Sequence, residues 1–179
     1  RFDEAEALAV EVREISRDLG ERWSPAMMDT LIASIRLWSG NFTESEELSR
    51  KALGVFRALN DPFGLVQALG PHNRALVALG RDQEAERGLE EVTALADGFG
   101  DLAFPIMAAA GTAVHLGLGE RAAVLGERAV ERINAMGDDG TEARVTYALA
   151  LCQTGRAEDA LVALDGLHVG VSRYDPDVG

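Results

Sequence analysis

The amino-acid sequence predicts an all-α protein, a solenoid of about nine antiparallel helices. Glycines recur at intervals of 37–40 residues, the apolar residues between them are spaced three and four apart, and no segment alternates apolar and polar residues with a period of two. A spacing of three and four places apolar side chains on one face of a helix, whereas a strand would need the alternation. A helical unit repeated at this interval is typical of solenoids.

The repeat is marked by glycines at Gly40, Gly80, Gly117 and Gly155. Five residues after each lies a small residue, and twelve residues after each lies an apolar one: Ser45, Ala85, Ala122 and Ala160, then Ala52, Val92, Ala129 and Leu167. A second turn follows twenty residues after three of the glycines, at Asn60-Asp61, Gly100-Asp101 and Gly137-Asp138. These columns divide the chain into a half unit, 1–20, and four units, 21–60, 61–100, 101–137 and 138–179. Because Arg1 falls directly after an expected turn, we expect a fragment of a larger protein.

The second half of each unit is predicted to be one amphipathic helix. Apolar residues recur at helical spacing in three of these segments: Leu8, Val12, Ile15 and Leu19; Leu48, Ala52, Val55 and Leu59; Ala85, Leu89, Val92, Ala96 and Phe99. Glutamates such as Glu44, Glu46 and Glu47 lie between the apolar positions. We expect them to form a solvated face, because a calcium site needs oxygen atoms that converge on a turning loop.

The starts of the first helices are marked by capping residues. Ser24-Pro25 and Asp61-Pro62 each place an N-cap acceptor before a proline at the first helical position. Asp101 can cap in the same way, with Pro105 in the first turn. Gly70-Pro71, by contrast, falls inside a predicted helix, where the proline removes a backbone hydrogen bond and clashes with the preceding turn. This dipeptide therefore predicts a kink or a broken helix.

The motifs at the turns resemble those of tetratricopeptide repeats. Gly40-Asn41-Phe42, Gly80-Arg81-Asp82-Gln83-Glu84-Ala85 and Gly155-Arg156-Ala157-Glu158-Asp159-Ala160 match the turn glycine and the aromatic or alanine positions that follow it in that family. The resemblance covers about residues 1–168, although the units are longer than the usual ~34 residues. It implies a right-handed α-α superhelix with a concave groove lined by the first helix of each unit. Longer units of this kind are similar to arrays in large bacterial, notably actinobacterial, ATP-dependent transcriptional regulators of the LuxR type.

Register with that family nominates a binding groove. Its predicted residues are Thr30, Ser34, Trp38, Gln67, Arg74, Phe104, Met107, His115, Glu142 and Gln153. The set mixes aromatic, amide and few charged side chains, which suits a peptide or an amphipathic helix. Trp38 and Arg74 are the predicted anchors, because tryptophan and arginine recur as hot spots. The alternative is that several of these side chains only pack between neighbouring units.

The resemblance implies a non-catalytic protein–protein interaction or sensing domain of a multidomain bacterial transcriptional or signalling regulator. Its partner would be a protein or peptide segment, or another domain of the parent chain. The alternative is a sensor domain that holds a small-molecule inducer in the groove near Trp38, Phe104 and Met107. A clamp for chaperone C-terminal carboxylates is not expected, since Asn73 and Arg74 supply only a fragment of the lysine and asparagine set that such clamps use.

Charge and composition exclude several other classes. The chain has 17 basic and 30 acidic residues and a net charge of −13, which disfavours direct binding to nucleic acid and to anionic membranes. No apolar run reaches the ~20 residues of a membrane helix, and no signal peptide opens the chain. The single cysteine, Cys152, excludes an internal disulfide framework and is expected to be a buried thiol in the cytoplasm. The uncapped ends are expected to continue into the parent protein or to pair in a homodimer.

The sequence offers no catalytic or cofactor signature, so we expect no enzyme, cofactor or metal site. Gly117-Leu118-Gly119 begins an imitation of a dinucleotide fingerprint, but it follows a predicted helix instead of a strand. Lys51 is the only lysine, and it is not in a phosphate-binding loop. The histidines, which are His72, His115 and His168, lack metal-ligand spacing and are expected to be packing or surface residues.

Overall fold

The computed structural model describes residues 2–98, 102–137 and 140–167. Within these ranges it contains nine helices and no strand: α1 (Phe2–Asp18), α2 (Trp23–Trp38), α3 (Phe42–Leu59), α4 (Pro62–Ala78), α5 (Asp82–Gly98), α6 (Ala103–His115), α7 (Gly119–Ala135), α8 (Thr141–Gln153) and α9 (Ala157–Leu164). The predicted all-α class is confirmed. Several residues named above lie outside the described ranges: Phe99, Gly100-Asp101, Asp138 and His168.

The helices are arranged in two layers. Each helix packs against the next one along the chain, and the even-numbered helices α2, α4, α6 and α8 also pack on one another in order. No two odd-numbered helices approach within 8 Å between Cα atoms in the described part of the chain. The even-numbered helices therefore form a continuous layer, and the odd-numbered helices lie along one side of it. The handedness of the superhelix and the division into repeat units stay predictions.

The glycine column of the repeat closes the even-numbered helices. Gly40 and Gly80 have φ angles of +80° and +72°, in the left-handed region where a Cβ is disfavoured. The amide after each glycine bonds back across the turn, from Asn41 N–H to Arg36 O at 2.8 Å and from Arg81 N–H to Leu76 O at 2.9 Å. This is the hydrogen-bond pattern of a Schellman motif, which ends a helix and reverses the chain. The period in the sequence is thus a period of helix ends.

Two of the predictions about helix starts are decided by the structure. Asp61 caps α4 as expected, since its Oδ1 accepts from Phe63 N–H at 3.2 Å and Pro62 opens the helix. Ser24 as an N-cap is wrong, because α2 begins at Trp23 and Arg22 occupies the N-cap position without a side-chain cap. The Trp23 indole donates to the Asp61 carboxylate, and this tertiary contact accompanies the earlier helix start.

Of the two outcomes predicted for Gly70-Pro71, the broken helix is wrong, and the kink stays a prediction. α4 runs without interruption from Pro62 to Ala78, with Pro71 buried inside it. α4 packs against α2, α3, α5 and α6, so it is held on several sides. That packing outweighs the single hydrogen bond that a proline removes, because most helical stability in proteins comes from tertiary contacts.

The core lies between the two layers and follows the repeat. The two columns counted from the turn glycines are buried at their first three positions: Ser45, Ala85 and Ala122, then Ala52, Val92 and Ala129. The small residues in these columns let the helices approach closely. The predicted apolar face at the start of the chain, which is Leu8, Val12 and Ile15 on α1 and Leu19 directly after it, is exposed, because only α2 packs against α1. In the described residues, no helix is both long enough and apolar enough to span a bilayer.

Candidate binding surface

One face of the even-numbered layer contains all ten residues of the predicted groove. Counting back from each turn glycine, positions two, six, ten and thirteen fall on one face of each even-numbered helix. We call these positions the even-helix strip: Met27, Thr30, Ser34 and Trp38; Gln67, Gly70, Arg74 and Ala78; Phe104, Met107, Gly111 and His115; Glu142, Val145, Leu149 and Gln153. The most C-terminal position of the four is exposed in every helix, at Trp38, Ala78, His115 and Gln153.

The α2 part of the strip is divided between packed and exposed side chains. Thr30 is only 4% exposed, and its Oγ1 donates to Ala26 O at 3.0 Å. Ser34 Oγ likewise donates to Thr30 O at 3.1 Å. Trp38 is 60% exposed, and its ring centroid lies 5.7 Å from that of Phe2. Of the residues predicted here, Trp38 can contact a ligand, whereas Thr30 is part of the packing.

The C-terminal ends of α6 and α8 are joined by a hydrogen bond. Gln153 Nε2 donates to Val114 O at 2.8 Å, in the last turn of α6, where carbonyl groups lack helical partners. His115 Nδ1 lies 2.7 Å from Gly111 O one turn earlier in its own helix. Gln153 therefore joins two neighbouring units, which is the packing alternative left open by the sequence.

The N-terminal ends of α6 and α8 border an apolar cavity. It has a volume of about 530 Å³ and brings together three predicted residues, Phe104, Met107 and Glu142. Sequence reasoning missed the other large side chains that line it, which are Leu102, Ile133 and Met136. Met136 directly precedes the predicted turn at Gly137-Asp138, and that is the one signal that could have pointed to it. Apolar cavities of this size with few polar groups are typical ligand sites.

Arg74 belongs to the α4 part of the strip and reaches across to α6. Its guanidinium rests on α6 at Gly111, where an added Cβ would come within 2.7 Å of Arg74 Nη2. Burial lowers the pKa of Arg74, and the carboxylate of Glu142 acts in the opposite direction. Within the described part of the chain, Arg74 forms no hydrogen bond and has no carboxylate oxygen within 4.0 Å. The structure thus brings Arg74, Gly111 and Glu142 together across three even-numbered helices.

Cys152 is a correction to the sequence prediction, because its thiol is exposed. Its counterpart one unit earlier, Val114, is buried, and Gln153 of the following even-numbered helix contacts the backbone there. In the part of the chain that the structure describes, no even-numbered helix follows α8. Cys152 is therefore exposed because, in the described part of the chain, no helix covers it as α8 covers Val114.

His72 lies away from the strip, beside α3. Its Nδ1 is 3.2 Å from Ser49 Oγ, and burial is the main cause that lowers its pKa. Glu46 raises that pKa, while Arg81 and Arg57 lower it further. Among the described residues, no three histidine, cysteine, aspartate or glutamate side chains are grouped as metal ligands. The surroundings of His72 are those of a packed histidine, and its burial favours the neutral form.

The lowered pKa of His72 predicts a loss of stability in mild acid. The unfolded chain takes up a proton near the ordinary pKa of 6.5, whereas the folded chain does so only at lower pH. The free energy of unfolding should therefore fall as the pH drops below 6.5 toward the folded pKa. Urea unfolding at pH 7.5 and 5.5 should show a smaller pH effect for His72→Gln than for the wild type. Equal pH effects in the two proteins would contradict the prediction, since all other titrating groups are common to both.

Comparison with known proteins adds no family to this description. No protein-family model matches the chain, and no curated protein sequence matches it significantly. Functional inference therefore depends on the strip, the cavity and Arg74.

Proposed function

We propose that this chain is a non-catalytic interaction domain that binds a segment of a partner protein along the even-helix strip. The observation that carries the proposal is the row of exposed large side chains on helices that pack side by side. Trp38, Phe104 and Leu149 are each more than one-third exposed and lie on this strip. Exposed apolar groups that share one surface mark interaction sites more often than scattered ones do.

The wider setting is also a proposal. The motifs that resemble tetratricopeptide repeats support a binding or sensing arm of a multidomain bacterial transcriptional or signalling regulator in the cytoplasm. The net charge of −13 supports a protein partner over nucleic acid. No step of this role requires a cofactor.

A second candidate function is the sensing of a small-molecule inducer. The apolar cavity of about 530 Å³ favours it, because this volume lies within the range of ligand sites, roughly 300–1,000 Å³. In that case Phe104 and Met107 would contact the inducer, and peptide binding would not be needed.

Selection from a phage-displayed library of random 12-residue peptides tests the two functions. The parent protein carries Trp23→Phe, so that Trp38 is the sole tryptophan and its fluorescence reports peptide binding. Leu149 on the strip and Val124 on α7 form a matched pair, 52% and 68% exposed. We expect Leu149→Ser and Phe104→Ser to weaken a selected peptide about tenfold or more, a loss of ~1.4 kcal/mol or more each. Val124→Ser should leave binding unchanged.

The opposite pattern would contradict the proposal. If selected peptides bind equally well to the strip variants and more weakly to Val124→Ser, the surface is wrong. If no peptide is enriched but a metabolite library perturbs the methyl resonances of Met107 and Met136, the sensor function replaces the interaction function.

A further inference from the structure

We propose that Arg74 binds an acidic side chain of the partner segment, and that the adjoining cavity binds a large apolar side chain next to that acid. This inference rests on the proposed function and specifies its ligand. The partner chemistry is an aspartate or glutamate beside a residue such as phenylalanine or leucine, within an extended or helical peptide.

The first argument is that Arg74 lacks a carboxylate in a protein rich in carboxylates. Among the described residues, six other arginines each lie 2.6–2.9 Å from a carboxylate oxygen: Arg13, Arg36, Arg57, Arg81, Arg121 and Arg156. Arg74 is half-buried and, within the described ranges, has neither an ion pair nor a hydrogen bond. Partial burial costs a guanidinium some of its hydration, since all its polar hydrogens are donors, and each nitrogen of Arg74 still reaches the solvent. An acceptor supplied by a ligand would offset that cost.

The second argument is the space that Gly111 leaves for the guanidinium. Glycine inside a helix is less favourable than alanine by about 1 kcal/mol. At this position a Cβ would lie 2.7 Å from Arg74 Nη2, so any other residue would displace the guanidinium from the surface of α6. His115 lies on α6 with Gly111, to whose carbonyl oxygen its ring is bonded, and it is within electrostatic range of Arg74 on α4. The head of Arg74 is thus seated on the strip, with its fork free to take both oxygens of a carboxylate.

The third argument concerns the neighbours on α6 and α8. Met107, one helical turn before Gly111, lines the cavity, and one turn corresponds to about 5.4 Å along the axis. Glu142 lines the same cavity and interacts electrostatically with Arg74 without reaching ion-pair distance. A ligand carboxylate at Arg74 would therefore lie near an apolar cavity on one side and would be repelled by Glu142. The separation of about one helical turn between Gly111, beneath the guanidinium, and Met107, at the cavity, suits two adjacent side chains of one peptide.

Two blocked dipeptides provide the test, Ac-Asp-Phe-NH₂ and its neutral counterpart Ac-Asn-Phe-NH₂. Binding to the full chain is followed by NMR, using the Nε–Hε resonance of Arg74 and the methyl resonance of Met107. We expect the aspartyl peptide to shift both resonances and to bind about tenfold more tightly than the asparaginyl peptide. Arg74→Gln should abolish this preference, whereas Glu142→Gln should strengthen aspartyl binding about two- to fivefold by removing the repulsion.

Matched variants separate a binding role from a structural one. Arg22→Gln changes the net charge equally at an exposed arginine outside the strip and should leave both affinities unchanged. Gly111→Ala should displace the guanidinium and weaken aspartyl binding with Arg74 still present. If Arg74→Gln does not fold, Gly111→Ala and Glu142→Gln still decide the matter, because a merely structural arginine predicts no gain in affinity from Glu142→Gln.

Several results would overturn the inference. These are no shift of the Arg74 resonance at 10 mM peptide, equal binding of the two dipeptides, or a preference that survives Arg74→Gln. If library-selected peptides bind the strip but are insensitive to exchange of their acidic residues for amides, the inference fails and the proposed function stands. If no peptide binds, both fail.

Discussion

Replacement of Phe56 by alanine is expected to lower the free energy of unfolding by about 3–5 kcal/mol, the largest effect that we expect from a single substitution. Phe56 lies on α3 and is completely buried. Its ring meets that of Trp23 edge-on at a centroid distance of 6.4 Å and rests against Gly64 of α4. Truncation of the ring would leave a cavity between α2, α3 and α4, because these packed helices cannot move freely to fill it. Urea unfolding followed by circular dichroism measures the loss.

Gly64 supplies the control for this prediction. A Cβ at Gly64 would come within 2.2 Å of Phe56 Cδ1, so Gly64→Ala alone should destabilise the protein by about 1–3 kcal/mol. In the Phe56→Ala background the same change should cost nothing or restore stability, because the added methyl group enters the cavity. A double-mutant cycle therefore predicts strong coupling between the two sites. Additive effects would show that the ring does not pack against Gly64.

Replacement of Gly126 by alanine is expected to lower the free energy of unfolding by about 1–2 kcal/mol, although alanine is the better helix former. Gly126 lies on α7, where a Cβ would be 2.9 Å from the Cα of Tyr147 on α8. A backbone atom cannot move away as a flexible side chain can, so the two helices must separate. Because α8 carries Glu142 at the cavity, the separation should also disturb that site.

Gly54 is the matched control for Gly126. It lies inside α3, and an added Cβ would meet nothing within 4 Å. Gly54→Ala should therefore raise the free energy of unfolding by up to about 1 kcal/mol, through helix propensity and a less flexible unfolded chain. Opposite signs for the two glycines are the expected result in urea unfolding. Equal effects would mean that close approach of α7 and α8 does not constrain position 126.

The period of the repeat was predictable because it depends on local rules. Gly40 and Gly80 end helices for reasons of backbone conformation, and the three-and-four spacing around Leu89 and Val92 places those residues on one face. Local rules failed where a distant residue intervened. Ser24 is not the N-cap of α2, because this helix already starts at Trp23. The Trp23 indole donates a hydrogen bond to Asp61, which lies nearly one unit further along the chain.

From the sequence, only the helix face that carries the candidate site was predictable, and the contacts of its individual side chains were not. Register places Trp38, Arg74 and Phe104 on one face of the even-numbered helices, and in the structure Trp38 and Phe104 are exposed whereas Arg74 is half-buried. Register alone could not show that Thr30 bonds to its own helix or that Gln153 joins two units. These outcomes depend on rotamers and on neighbours about one unit away in sequence.

By itself, the sequence determined the helical class and the positions of most turns, because helix formation and termination are decided by residues within about one turn of each other. The tertiary structure alone decided which side chains remain uncovered. In the sequence, Arg74 is an ordinary strip residue. Only the structure shows that Gly111 of α6 lies beneath its guanidinium and that no carboxylate pairs with it in the described part of the chain. Burial and ion pairing join residues that are about one repeat apart, and no local pattern encodes those distances.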